Sequence, residues 1–561
     1  MNVNLNANAG GDAVPRLLGR AGLRAAAALS LGILLVSGLF ADPRMPGDPL
    51  LEALRSAYVR TGRVQPFTSF PVTEDEIRGA VDELARDPAA DPEAVEVLRA
   101  ALPSPDRMDA GIALSYVRYL RTSEEYVENY ANKNGIDLYR LYLSEPAPIR
   151  YYLGWEGGDG LFLSVEQTLR RQMDDADFFK EDNFYPLGAD GNPVAIENNN
   201  FTRGNLGWVR NGYRFTFGRE KAHIGPETWS SLWISDRIPY INAARTSIPI
   251  GPFRMDWYVS TIRPLEVVNT GLDPDPLGPY GYFREDNQTV IVDVLHRFEW
   301  RGRRVRVAVG GAQTIARPNN YFELADFFPI LSWHSTHPKP YNPRAIADAS
   351  WVFLPGWTVC GQAGFDDFNA GIIGVGDTEI PTIDAYILGL RWDGDASGRR
   401  VAAALEGGYT HYLWGSYDEV AVGHTATSSG TLGRAVYRLK LDEGSQGIPL
   451  GSPYGPGALW FRGGLDLPDL GPGLSLKAGA LLLSKNTAAD LLNTLYEASS
   501  AVENAPRTLY FELAASARYS WKSLSFTFAP LFAVRDGEIW AELALGASWK
   551  YEIRKTVDSG Q

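Results

Sequence analysis

Residues 539–553 read IWAELALGASWKYEI, and their alternation decides the fold class of this chain. Successive side chains of a β-strand point to opposite faces of the sheet. One face of this segment is apolar and carries Ile539, Ala541, Leu543, Leu545, Ala547, Trp549, Tyr551 and Ile553. The other face carries Trp540, Glu542, Gly546, Ser548, Lys550 and Glu552. A strand of this length with one oily and one charged face is typical of a membrane barrel, because strands of soluble sheets are usually about five or six residues long.

The same alternation recurs along the chain, in segments that are separated by Gly, Pro, Asn and Asp clusters. These segments lie at 207–219, 382–392, 474–483, 509–521 and 523–529. About 400 residues follow position 151. At roughly 22 residues for a strand and its connection, the sequence predicts an all-β transmembrane antiparallel barrel of about 16 to 18 strands over residues 146–555. A polar tail, 556–561, follows the last strand. An interior of that width is too large for side chains of the wall alone to fill.

Composition agrees with a strand-rich membrane protein and excludes one class of partner. Aromatic residues make up 12% of the chain, glycines number 57, and the mean hydropathy is only -0.18. Barrels have such modest averages because every second residue of a strand faces water. A soluble β-sandwich would also alternate and remains the competing fold. The net charge of -14 argues against nucleic acid as a partner, since binding to phosphates requires a cationic surface. The single cysteine, Cys360, is expected to be a small buried side chain.

The first 41 residues have the features of a signal peptide for export. Arg16, Arg20 and Arg24 precede an apolar run at 25–40, which is shorter than the ~20 residues that a transmembrane helix needs. Cleavage is expected after Ala41. The predicted location is therefore the cell outer membrane, with membrane lipid and the barrel assembly machinery as partners.

Residues 42–145 are predicted to form a small helical domain at the periplasmic side of the barrel or within it as a plug. Three helices begin at capping signals: Asp48, the Thr73 and Glu76 capping box, and Asp91 followed by Pro92. A fourth helix is expected within 106–133. Its apolar side would contain Ile112, Tyr116, Tyr119 and Leu120.

Candidate catalytic and metal sites are weak. The chain contains no G-x-S-x-G nucleophile elbow, and none of its six histidines stands in a recognised nucleophile motif. His334 and His337 are three residues apart in WHSTHP, but a Pro-rich loop does not hold two rings in the geometry of a metal site. We therefore predict a protein that is not an enzyme and has no cofactor and no bound metal.

A binding role is the interpretation we favour for GREKAHIGPETWSSLWIS, residues 218–235. The segment is expected to form the end of a barrel strand, a Gly-Pro turn and a loop at the lumen or rim. Aromatic faces beside polar groups suit the C–H surface and the hydroxyl groups of a sugar ring. An aromatic girdle or an inward-folded structural loop is the alternative. Paired aspartates in GQAGFDDFN would attract hydroxyl groups or form a solvated strand end. The candidate ligand-binding residues are Arg219, His223, Glu227, Trp229, Trp233, Asp366 and Asp367.

Three stretches resemble the capsule-assembly Wzi-like family of outer-membrane barrels. LRSAYVRTGRVQPFTSFPVTEDEIRGAVDEL at 54–84 is similar to the opening of that family, with two helices joined by a short extended segment. GREKAHIGPETWSSLWIS and GQAGFDDFN are similar to two of its strand ends. The resemblance implies a large barrel with a helical bundle at the periplasmic end, and a role in holding or assembling surface or capsular polysaccharide.

A general porin or solute-specific channel is the alternative function. It is supported by the expected width of the barrel and by mixed charges on faces that would line the lumen. These charged residues are Arg304, Arg306, Glu512, Arg518, Glu542 and Lys550. A plug formed by the N-terminal domain would favour polysaccharide binding over free conduction.

Overall fold

The structure is a computed structural model of the chain. It describes residues 44–102, 106–122, 146–171, 201–234, 240–262, 289–318, 341–367, 382–396, 399–417, 431–434, 436–441, 444–487, 493–495 and 504–556, with the separate positions 183, 196–197 and 238. The predicted signal peptide, residues 557–561 of the tail, and His334 and His337 lie outside this part.

Three helices precede the barrel in the described residues: α1 Pro49–Arg60, α2 Glu74–Ala85 and α3 Pro92–Ala101. The capping predictions are confirmed. The Asp48 side chain accepts hydrogen bonds from the first turn of α1, Thr73 and Glu76 form a complete capping box, and Asp91 caps α3. Tyr58 and Ile77 are fully buried where the three helices pack together. None of the described helices is long and apolar enough to span a lipid bilayer.

Eighteen antiparallel strands close into a barrel, which confirms the predicted fold class. They are β1 Arg107–Arg121, β2 Ile149–Glu156, β3 Leu161–Arg171, β4 Phe201–Arg210, β5 Tyr213–Glu220, β6 Ile241–Ile250, β7 Phe253–Ile262, β8 Thr289–Arg301, β9 Val305–Pro318, β10 Tyr341–Leu354, β11 Trp357–Asp367, β12 Ile383–Ala396, β13 Arg399–Thr410, β14 Ala458–Gly471, β15 Leu474–Asn486, β16 Arg507–Trp521, β17 Leu524–Arg535 and β18 Glu538–Thr556. The barrel closes where β1 pairs with β18, from Arg107 opposite Thr556 to Arg121 opposite Glu542. Shorter strands lie at Ser69–Phe70, Ile196–Glu197, His223–Ile224, Ser416–Tyr417, Thr431–Arg434, Val436–Leu441, Gly444–Pro449 and Asn493–Leu495.

The predicted fourth helix within 106–133 is wrong. Arg107–Arg121 is the first barrel strand and pairs with β18 on one side and β2 on the other. The barrel therefore begins inside the range 42–145 that the sequence assigned to the helical domain. Its outer face carries Ile112, Leu114, Tyr116 and Leu120, because the true period of this segment is two.

The outer surface of the barrel is apolar. Phe217 is 74% exposed, and large hydrophobic side chains of almost every strand are exposed in the same way. Apolar area of this extent is stable only in a lipid environment. On β18, Leu545, Trp549 and Tyr551 face outward as the sequence predicts.

The helices lie at the end of the barrel that has the short turns. Most strand pairs are joined there by connections such as 211–212, 251–252 and 355–356, whereas long connections such as 411–457 lie at the other end. The Gly356 amide donates to the Val59 carbonyl, and the Val64 amide donates to the Arg303 carbonyl. Short turns of outer-membrane barrels face the periplasm, so this is the periplasmic end.

Two segments enter the lumen and meet inside it. The first is the N-terminal lumen segment, residues 64–72, between α1 and α2. The second is the loop lumen segment, residues 221–234, which follows β5. They pair antiparallel, with Ser69 opposite Ile224 and Phe70 opposite His223. The wall holds the first segment by its backbone, because Arg245 donates to the carbonyls of Ser69 and Pro71 at 3.0 Å.

A buried network of ion pairs lies where these segments contact the wall. Arg297 on β8 is fully buried and donates two hydrogen bonds of 2.8 Å to Asp348 on β10. It also pairs with Glu299 at 2.7 Å, and Glu299 in turn pairs with Arg306 at 3.2 Å. Buried charges of this kind are tolerated because each one has partners of opposite sign.

Candidate functional site

The lumen is divided into a filled half and an open half. Inward-facing charged residues of β7, β8 and β10 are almost completely buried by the two lumen segments, and Asp256, Arg297 and Asp348 are examples. The inward face of β14–β18 differs. The side chain of Lys477 is 58% exposed and that of Lys550 is 45% exposed. We call the inward-facing residues of β14–β18 that lie in the periplasmic half of the lumen the open wall, because side chains such as Lys477 and Lys550 are exposed there.

The open half is covered toward the long-loop end by an apolar cluster. Trp233 of the loop lumen segment and Trp460 of β14 are both fully buried in it. The cluster also contains Leu483 of β15 and Trp540 of β18, and on the opposite wall Tyr258 of β7. It therefore connects the two walls across the barrel.

The Gly-Pro turn positions the loop lumen segment. Gly225 has a φ of +127°, which strongly favours glycine. A Cβ atom at this position would lie 2.1 Å from Nε2 of Gln362, so the turn packs directly against β11. Gln362 also donates to the Glu227 carboxylate and accepts from the Leu232 amide at 2.7 Å. One side chain of the wall thus fixes the segment on both sides of Trp229.

Glu227 is buried, with 3% of its surface exposed. Burial raises the pKa of its carboxyl group well above the usual range, and the nearby Asp348 and Glu406 carboxylates raise it further. Glu227 is therefore enclosed by protein and does not face the open half.

Trp229 is the candidate residue that lies at the boundary with the open half. It is half-buried, and its ring packs over Gly464 of β14. The guanidinium group of Arg462 lies 4.8 Å from the ring centroid, and the Trp229 amide donates to Glu406 at 3.2 Å. We call Trp229, Arg462 and Glu406 the tryptophan site. It combines an aromatic face and a cation, which suit the ring and the hydroxyls of a sugar, with a buried carboxylate that positions the Trp229 backbone.

Two other candidates of the motif are structural. Trp233 is fully buried, and its Nε1 atom donates to Asp348 at 2.9 Å. His223 is buried in the short strand opposite Phe70, and the two ring centroids are 5.9 Å apart. Both side chains hold the loop lumen segment in position and lie apart from the open half.

The remaining candidates do not join the tryptophan site. Arg219 is on the outer face of β5, where it donates to Asn242 at 2.8 Å and stacks on Tyr240. Asp366 is buried and accepts from the Gly415 amide at 2.7 Å. The backbone of Asp367 is at a bulge opposite Ile383, and its side chain lies outside the described residues.

Sequence reasoning missed Arg462 and Glu406, which complete the tryptophan site. The sequence does indicate that Arg462 faces the lumen, because Leu459, Phe461 and Leu465 lie on the opposite, outer face of β14. Nothing local to Arg462 indicates that it contacts a residue more than two hundred positions earlier. Cys360 is buried and free, as predicted. No cluster of metal-binding side chains occurs among the described residues.

Substitution of Gly225 by alanine tests the packing of the turn. We expect Gly225→Ala to lower the free energy of unfolding by at least about 2 kcal/mol, because a Cβ atom must displace Gln362 and strain the backbone. Gly251→Ala is the matched control, since Gly251 also has a positive φ, of 61°, but has no atom within 4 Å of its Cβ position. Equal urea midpoints for the two variants, measured by tryptophan fluorescence in lipid vesicles, would contradict this packing.

Among the solved structures that this chain resembles is an outer-membrane barrel of the same fold. It is the Escherichia coli protein Wzi, described as an outer-membrane protein involved in group 1 capsule assembly and as a carbohydrate-binding β-barrel. The match covers 90% of this chain and 99% of Wzi, with a TM-score of 0.53 and 13% sequence identity. The chain shares the fold of Wzi. This likeness confirms, at the level of fold, the resemblance that the sequence suggests. A closed barrel with an apolar outer surface of this extent belongs in the cell outer membrane, with lipid around it.

Porins of the outer membrane are more distant from this Wzi-like barrel. Pseudomonas aeruginosa OprD is 9% identical, with 80% of this chain and 95% of OprD covered and a TM-score of 0.38. A porin resembling BenF from Pseudomonas fluorescens Pf-5 is 10% identical, with 80% and 99% covered and a TM-score of 0.37. No protein-family model matches the sequence, and no curated protein matches it either.

Proposed function

We propose that this outer-membrane barrel binds surface or capsular polysaccharide and acts in its attachment or assembly without catalysing a reaction. The observation that carries the proposal is the tryptophan site, where Trp229 and Arg462 meet beside the open half of the lumen. The likeness to Wzi, itself described as carbohydrate-binding, supports the same role. We further propose that the barrel assembly machinery inserts the protein into the membrane and that nucleic acid is not a partner.

The tryptophan site suits a glycan chemically. A half-buried indole offers a rigid apolar face at little cost in conformational entropy, and a sugar ring presents C–H groups to such a face. Arg462 supplies a donor for the polar rim of the same ring, whereas Glu406 is buried and holds the Trp229 backbone in place. Trp229 is itself held in place by the wall, because Gln362 fixes the loop lumen segment on both sides of it. A preorganised site loses less entropy on binding.

Free conduction of solutes is disfavoured. The apolar cluster joins opposite walls, and the N-terminal lumen segment pairs with the loop lumen segment beneath it. Several of the charges that motivated a porin are engaged in ion pairs: Arg306 with Glu299, Glu542 with Arg121 at 2.7 Å, and Lys550 with Glu552 at 2.8 Å. In planar bilayers we expect the wild-type protein to give no stable large conductance steps.

Trp229→Ala tests the binding role. We expect the variant to retain at least about tenfold less glycan, which corresponds to the loss of about 1.4 kcal/mol from aromatic contact. Bound hexose per mole of purified protein is the measurement, followed by titration with fluorescent oligosaccharides. Trp351→Ala is the matched control, because Trp351 is 51% exposed on the outer face of β10.

Retention that falls equally in both variants, or in neither, contradicts the assignment of the tryptophan site. A wild-type protein that binds none of the glycans offered contradicts the proposed function itself. Heat-dependent gel mobility confirms that each variant is a folded barrel before its binding is compared.

A further inference from the structure

The open wall carries arginines whose guanidinium groups form no ion pair within the described residues. Three of its acids have cationic partners: Asp466 pairs with Lys477 at 3.3 Å, and Glu552 and Glu542 pair with Lys550 and Arg121. Arg462 and Arg518 form no ion pair among the described residues. Arg462 contacts the ring of Trp229 and lies opposite the buried Glu406 of β13 without forming an ion pair in the ranges that the structure describes, and Arg518 donates one hydrogen bond of 3.2 Å to Ser525.

A third arginine extends this pattern to the neighbouring strand. Arg400 of β13 is two residues from Ala402, which lies opposite Asp466 of the open wall. The alternation of the strand turns Arg400 inward, and its side chain is half-exposed without an ion pair in the described part of the chain. Guanidinium groups bind carboxylate and phosphate through paired hydrogen bonds.

Hydroxyl groups fill the wall between these arginines. Ser475 lies opposite Arg518, and Ser516 lies opposite Lys477. Ser520 and Ser525 are in hydrogen-bond contact at 3.1 Å, and the row continues through Ser548 of β18. A surface of serines and unpaired arginines offers exchangeable hydrogen bonds and positive charge together, which suits a hydrated polymer that carries both hydroxyl and anionic groups.

The surface is long and is continuous with the tryptophan site. Arg462 lies opposite Leu481 of β15, and Arg518 lies opposite Ser475 of the same strand. Six residues of an extended strand separate these two levels, a distance of about 20 Å. Arg518 is three residues from the β16–β17 turn, so the surface runs from the periplasmic mouth inward to Trp229.

We propose that the open wall is a binding surface for an acidic glycan, with Arg400 and Arg518 contacting its carboxylate or phosphate groups at the periplasmic mouth and Arg462 contacting them beside Trp229. The inference rests on the proposed function and adds to it the chemical class of the polymer and the end of the barrel from which the polymer is reached. Neutral glycans contact the tryptophan site and the serines but gain nothing from Arg400 and Arg518.

The test compares acidic and neutral oligosaccharides on the purified full-length protein. Fluorescent oligogalacturonate and dextran oligomers of matched length are titrated at low and high salt. Arg400→Gln with Arg518→Gln is expected to weaken oligogalacturonate binding by about tenfold for each arginine and to leave dextran binding unchanged. Binding of the acidic probe to the wild type is expected to fall as salt rises, because screening weakens exposed ionic contacts.

Arg210→Gln with Lys522→Gln is the matched control, since both residues are exposed at short turns of the same end and lie outside the lumen. An equal loss in this control, or unchanged oligogalacturonate binding in the Arg400 and Arg518 variant, overturns the inference. The proposed function fails separately, when Trp229→Ala binds both probes as the wild type does or when the wild type binds neither.

Discussion

Replacement of Arg297 by methionine is expected to lower the free energy of unfolding by about 3 to 5 kcal/mol. The guanidinium group is fully buried and contacts Asp348 and Glu299 directly. Its removal leaves two carboxylates in the lumen without their nearest cation, and the cost of an uncompensated buried charge is large. The urea midpoint in lipid vesicles, followed by tryptophan fluorescence, is the measurement.

Two further variants make this prediction specific. Arg303→Met removes an arginine that is 53% exposed and pairs with Asp87, so its effect is expected to stay below about 1 kcal/mol. Asp348→Asn added to Arg297→Met is expected to recover part of the loss, because asparagine can still accept from Trp233 without carrying a charge. If Arg297→Met and Arg303→Met shift the midpoint equally, the network does not stabilise the filled half of the lumen.

Replacement of residues 222–234 by a glycine-serine segment of the same length is expected to convert the silent barrel into a channel. The loop lumen segment supplies Trp233 and Leu232 to the apolar cluster and pairs with the N-terminal lumen segment. Barrels of similar or smaller strand number leave an aqueous channel when nothing fills them. Stepwise currents in planar bilayers are the measurement.

The matched control is a glycine-serine replacement of the same length in the connection between β15 and β16, which lies outside the loop lumen segment. Heat-dependent gel mobility shows whether each variant has formed a closed barrel. A folded variant of residues 222–234 that carries no current contradicts the role of this segment in closing the lumen.

The barrel and the three helices could be predicted from the sequence because both depend on local periodicity. Capping residues such as Asp48 and Thr73 mark helix starts, and alternation marks long strands. The sequence predicts a helix where the strand Arg107–Arg121 lies, because the alternation of this segment is irregular. Arg118 interrupts the outward apolar face, whereas Tyr119 is inward, and Ile112, Tyr116, Tyr119 and Leu120 then fit a helical spacing by coincidence.

The filled half of the lumen could not be predicted, because its contacts join residues that are far apart in sequence. Pro66 accepts a hydrogen bond from Arg306, and Trp233 donates one to Asp348. No local pattern distinguishes an arginine that binds a backbone carbonyl from one that faces water. For the same reason only part of the candidate site could be predicted. Trp229 stands in a recognisable motif, whereas Arg462 does not.

The pairing of β1 with β18 has a consequence for biogenesis. The seam of the cylinder is formed by its earliest and latest strands, through a register that extends from Arg107 to Arg121. A nascent product that lacks residues 538–556 leaves the backbone of β1 without this partner along its whole length, and such an edge is prone to aggregation. Closure of the barrel therefore requires the C-terminal strand, and quality control that inspects this seam would distinguish complete molecules from truncated ones.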